Sequence, residues 1–179
     1  MKKILGVVLA LMIMPAFGAE DLVQAIHGTV ESVGSAGKTV VVKTAEGTKL
    51  TLEAGKSTAV FGFEGAESVA TGGFRGVATG AEVVAHYSVK GVKYTALSIH
   101  KVGATGLRAT EATVQSIDHA GKVMAVKTAD GTVDTYKLAD HATATAAKET
   151  GKGIATGVKV IVYSSETAGL KVAHFVRGI

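Results

Sequence analysis

Apolar and polar residues alternate with a period of two along most of this chain, and the alternation is written twice. Residues 29–33, 39–43 and 49–53 each read as a short strand enriched in β-branched residues, whose successive side chains point to opposite faces. Residues 29–48 (TVESVGSAGKTVVVKTAEGT) lie over residues 113–132 (TVQSIDHAGKVMAVKTADGT), with 12 of 20 positions identical at a constant offset of 84. Short turns around Gly37, Gly47, Gly121 and Gly131 join these strands into a three-stranded meander in each copy. A second match, GVATGAEVV at 76–84 over GIATGVKVI at 153–161, runs at an offset of 77, so the second copy is seven residues shorter between its matched blocks. Two further strands follow in each copy, at 81–89 and 93–102 and at 158–164 and 170–177.

Between the third and fourth strands the alternation lapses, over 54–79 in the first copy and 139–156 in the second. A short strand at 58–63 or 142–146 is expected to open this stretch, with a helical turn at 64–70. Five short strands with a longer excursion before the fourth describe an all-β chain of two tandem, small, five- to six-stranded OB-like barrels. The runs GTVxSV, GKTVVVKT and GTKLTL, followed by ATGAEVVA and YTALSI, resemble exported bacterial OB-like β-barrel repeat domains of unknown function. The resemblance rests on strand and turn residues. It implies the fold and export, and it transfers no catalytic or binding residue.

The amino terminus carries a second signal. Lys2 and Lys3 precede an apolar run at 4–14, then Pro15 and the small-residue stretch Ala16-Phe17-Gly18-Ala19, the three-part layout of a secretory signal peptide. Eleven apolar residues fall well short of the roughly 20 that span a bilayer. The expected organisation is a signal peptide at 1–18, a first barrel with an amino-terminal extension at 19–103, a linker at 104–107 and a second barrel at 108–179. Residues 20–26 match neither repeat, and Gly103-Ala104-Thr105-Gly106 reads as a flexible, uncharged joint that keeps the copies touching. The protein is expected in the periplasm or outside the cell, with no membrane association once the leader is removed. No cysteine is present, so neither a disulfide nor a lipidated cysteine follows the leader.

Removing the leader takes away two of 19 basic residues and leaves 17 against 15 acidic ones, interspersed along the chain. With few aromatic residues and no basic run, nucleic acid is not an expected partner. Gly55-Lys56-Ser57 lacks the upstream glycine of a phosphate loop, and no serine, histidine and acid stand in a nucleophilic arrangement, so no enzyme activity and no cofactor are expected.

Six histidines remain as candidate ligands, and none aligns with another across the repeat. A metal site inherited with a duplicated fold would appear twice, so no metal site is expected. The best candidates are His27, His86 and His100 of the first copy, which a barrel could bring together as surface ligands for zinc, copper or nickel. Phe61, Phe63, Phe74 and Arg75 lie in the excursion that the second copy shortens, and they are the candidate partner-binding residues. The other reading of that segment is a lid over one barrel end. The expected function is a non-enzymatic binding or adaptor module of the cell envelope, recognising a protein or glycan, with oligomeric state open. The alternatives are a periplasmic metal-binding protein and a structural protein that pairs through strand edges.

Overall fold

The computed structural model of the chain describes residues 22–64, 73–139, 142 and 154–179. The signal-peptide segment, most of residues 64–70, His141 and residues 143–146 lie outside them. The first copy contributes β1 (Leu22–Val33), β2 (Thr39–Lys43), β3 (Lys49–Phe61), β4 (Glu82–Lys90) and β5 (Lys93–Lys101). The second contributes β6 (Arg108–Asp118), β7 (Val123–Thr128), β8 (Val133–Leu138), β9 (Lys159–Thr167) and β10 (Leu170–Gly178). Each set closes into its own barrel, in the order β1-β2-β3-β5-β4 and the equivalent β6-β7-β8-β10-β9. The chain is all-β and forms two small five-stranded barrels. In each, the third and fifth strands close the barrel in parallel and the other pairings are antiparallel.

The period-two pattern sets the interior. Val30, Val42 and Val83 are buried in the first core, and their counterparts Val114, Val126 and Val160 are buried in the second. These three pairs occupy the equivalent positions expected from the duplication.

Four local expectations change. Residues 22–28 are not an appendage: they form the first half of β1, in continuous register with β4 from Leu22↔Val89 to Thr29↔Glu82. The strand expected at 58–63 is the end of β3, which runs unbroken past an irregularity between Ala54 and Ala59. There the Thr58 hydroxyl accepts from Gly55 N at 2.7 Å and donates to Ala96 O at 2.6 Å, restoring hydrogen bonds that the ladder loses.

The joint between the barrels is a tight turn, not a flexible tether. Val102 bridges Leu107, Gly106 N donates to Gly103 O at 3.0 Å, and Leu107 N donates to Lys101 O at 2.7 Å. The Thr105 hydroxyl also donates to Gly62 O at 2.9 Å, tying the turn to the end of β3. A Cβ on Gly106 would stand 1.9 Å from Lys101 O, so close backbone approach, and not pliancy, explains the glycine.

The first-copy excursion returns to the barrel as a plug. Phe74 N donates to Gly37 O at 2.7 Å, and the Phe63, Phe74 and Val77 side chains are buried in the first core. Phe74 is only 1% exposed. The expectation that Phe63 and Phe74 stand out as exposed anchors is therefore corrected. An open barrel end would leave the core wet, and these aromatic residues remove more apolar surface from water by filling it than by projecting from it. Ile154, at the position equivalent to Val77, is buried in the second core in the same manner. Arg75 remains exposed beside the plug.

Candidate functional site: the seam between the barrels

Strand β4 is buried on both faces. Val83, Ala85 and Tyr87 point into the first core, so the alternation sends Val84 and His86 outward, yet both are buried. The second barrel covers them. Ala25 and Val84 pack with Leu107, Tyr163 and Phe175, and Val102 and Ile161 flank this cluster. Val84 and Ile161 are equivalent positions of the two copies, 77 residues apart, so related faces of the two barrels meet. The turn at 103–106 holds the chain ends close enough for this apolar contact to form.

Four of the six histidines, His27, His86, His100 and His174, collect along this seam, in two groups. His27, on β1, rests on rings of the second barrel, with centroids 4.3 Å from Tyr163 and 6.0 Å from Phe175. Its Nε2 is 2.8 Å from Glu82 Oε1. Burial pushes the His27 pKa below its ordinary value, and the Glu82 carboxylate opposes that shift.

The second group is made of His86, His100 and His174. Strands β4 and β5 of the first barrel carry His86 and His100, and β10 of the second carries His174. Ring centroids are 4.4 Å apart for His100 and His174, 6.0 Å for His86 and His174, and 6.1 Å for His86 and His100. Phe61 stacks on His100 at 4.4 Å with planes 12° apart. His174 Nε2 lies 2.9 Å from the Ser165 hydroxyl oxygen. Burial, then the neighbouring His174 and His86, lower the His100 pKa to about 3, and burial followed by His86 lowers that of His174 to about 4. Both imidazoles are therefore neutral at neutral pH.

These residues line a half-open groove of about 440 Å³, whose walls include Val23, Ala59, Phe61 and Leu97 from the first barrel and Ala139 from the second. Among the described residues, no acidic or basic side chain lines it apart from the histidines. An apolar concavity with a few convergent polar groups is the usual form of a ligand site. Among the described residues, no group of three or more His, Cys, Asp or Glu is already arranged to hold a metal ion.

The sequence-predicted candidates are thus redistributed. His86 and His100 come together with Phe61, and they stand in a covered seam instead of on a free surface; His86 is only 8% exposed. His27 takes a separate place against Tyr163 and Glu82. His174 was missed, because the search for converging ligands was confined to single copies. The available signal was local: strand alternation about the buried Ala173 places His174 on the outer face of β10. No protein-family model and no curated protein sequence matches the chain.

Proposed function

We propose that this protein is an exported, non-enzymatic binding module of the cell envelope whose ligand, part of an envelope protein or a glycan, is held in the groove between its two barrels. The observation that carries the reading is the groove itself. It is apolar, half-open, built from side chains of both copies, and furnished with imidazoles and a stacked Phe61 that no barrel core requires. The leader-like amino terminus and the balanced charge of the remaining chain support the envelope setting.

Two other readings were open at the level of sequence. Edge-to-edge assembly finds little support, because every strand of both closed barrels has a neighbour on each side. Metal binding gains a specific observation in the meeting of His86, His100 and His174, and is developed below.

The test is purification of wild-type protein and a Leu97→Asp variant from the native envelope, followed by native mass spectrometry. Leu97 lines the groove and is 42% exposed, so the new carboxylate enters the site without entering a core. A protein or glycan should accompany the wild type and be lost from the variant. A companion retained equally by both would place binding elsewhere, and a wild-type protein with none would overturn the reading.

A further inference from the structure

We infer that the seam groove is a site for one divalent d-block ion of the zinc class, ligated by His86 and His100 of the first barrel and His174 of the second. This rests on the reading of the seam as a ligand site and names a ligand for it.

Spacing is the first argument. An ion bound about 2.0–2.1 Å from one nitrogen of each of three imidazoles in a tetrahedral array separates the ring centres by roughly 5 Å. The observed separations of 4.4, 6.0 and 6.1 Å bracket that value. The rings do not yet aim their lone pairs at one point, in keeping with the absence of a ready-made cage among the described residues. His100 and His174 line the open groove, where changes in their side-chain torsions can reorient the rings.

The chemistry of the donor set is the second argument. A groove with imidazole donors and, among the described residues, no carboxylate in its lining favours zinc, copper(II) or nickel over calcium or magnesium. In the tautomer whose Nε2–H donates to the Ser165 hydroxyl, His174 keeps its Nδ1 lone pair for the ion, and Ser165 is then the outer partner that orients the ring. Phe61, flat against His100, restricts that ring similarly. Three protein ligands leave a fourth position toward the groove opening.

The third argument concerns the duplication. The positions equivalent to His86, His100 and His174 are Tyr163, Arg177 and Leu97, so neither copy holds the set alone. The absence of a repeated ligand set argues against a site within each copy. It does not weigh against a site made once, where the copies meet.

The experiment uses the full mature chain, freed of metal by a chelator and titrated at pH 7.5 with zinc(II) by calorimetry and with cobalt(II) by visible absorption. One ion per chain should bind with a dissociation constant tighter than about 10 µM. Cobalt should show the d–d bands of a nitrogen-bound, four-coordinate ion. His174→Ala and His100→Ala should each weaken binding by at least about tenfold, as loss of an inner ligand exceeds the effect of losing an outer partner. His119→Ala, in an exposed turn, should leave it unchanged. Circular dichroism confirms that each variant is folded, and His174→Ala serves if His86→Ala does not fold. Wild-type affinity weaker than about 100 µM, or equal losses in the His119 and His174 variants, would overturn the inference. If zinc fails to bind while Leu97→Asp still sheds an envelope companion, the metal inference falls and the seam reading stands. Zinc binding lost with His174 in a protein that carries no companion would sustain the metal site and refute the protein or glycan ligand.

Discussion

The barrel interiors and the seam between them treat the duplication in opposite ways. Inside, equivalent positions are buried in both copies: Val30 with Val114, Val42 with Val126 and Val83 with Val160 are identical pairs, and Val40 with Met124 and Leu52 with Tyr136 are buried pairs of different size. At the seam, equivalent positions diverge: His86 stands against Tyr163, His100 against Arg177, and Leu97 against His174. A closed barrel of this size has an interior that must be filled to close packing, so both copies bury the same positions even where the side chains differ. The outer face of a strand is under no such demand until a partner covers it. When the partner is the other copy, two related faces meet from different sides, and differences between them allow a site that neither barrel contains by itself.

That contrast can be broken at several points. The largest effect is expected from the plug of the first barrel. Phe74→Ala should lose about 3–5 kcal/mol of stability in denaturant unfolding, as truncated core aromatics do. An effect below about 1 kcal/mol would mean that the residue is dispensable to the core and would reopen the loop as a binding element.

The seam should respond to pH where the cores do not. His100 and His174 have folded pKa values of about 3 and about 4, against an ordinary value of 6.5. The closed seam therefore holds them neutral. The stability linked to them is fully present above pH 6.5 and is lost as pH falls toward 4 and 3, because the opened or unfolded state takes up protons that the closed state refuses. Between pH 7.5 and pH 5 the metal-free protein should lose on the order of 3 kcal/mol. Replacing both histidines by Leu should flatten the slope. An unchanged slope in the double variant would assign the acid sensitivity to other groups.

Val42→Ala and Val126→Ala sharpen the comparison from the side of the cores. Each should cost about 1–3 kcal/mol, and the two should agree within about 0.5 kcal/mol, because both valines are fully buried at equivalent positions. A large disparity in calorimetric or denaturant melts would show that the two interiors are packed to different standards.

The smallest effect belongs to surface charge. Lys93 Nζ lies 2.7 Å from Glu53 Oε2, with both side chains at least half exposed. Lys93→Ala should change stability by less than about 1 kcal/mol, and raised salt should erase most of that difference.

Much of the fold was legible from alternation and internal matching. The observed β2 spans the expected residues 39–43, β5 starts at the expected Lys93, and the three valine pairs lie inside the barrels. The first half of β1 was not legible, because its counterpart at the start of the second copy has a different sequence and the match begins only at Thr29. The plug was legible only as one of two readings, a lid over a barrel end or an exposed binding loop. Aromatic residues among glycines read equally well as exposed anchors or as a barrel stopper, and local composition holds no information on which end of a barrel is open.

By itself the sequence determined the strand period, the number of copies, the residues that fill each core and the chemistry available on the outer faces. These follow from local rules, since a period of two divides a strand into two faces and a repeated pattern demands a repeated interior. Only the tertiary structure decided which outer faces meet. That choice depends on the tight turn at 103–106 and on the packing of Ala25 and Val84 against Leu107, Tyr163 and Phe175. His86, His100 and His174 are far apart in the chain and unrelated in the repeat, and they become neighbours because burying those apolar faces brings β4, β5 and β10 together.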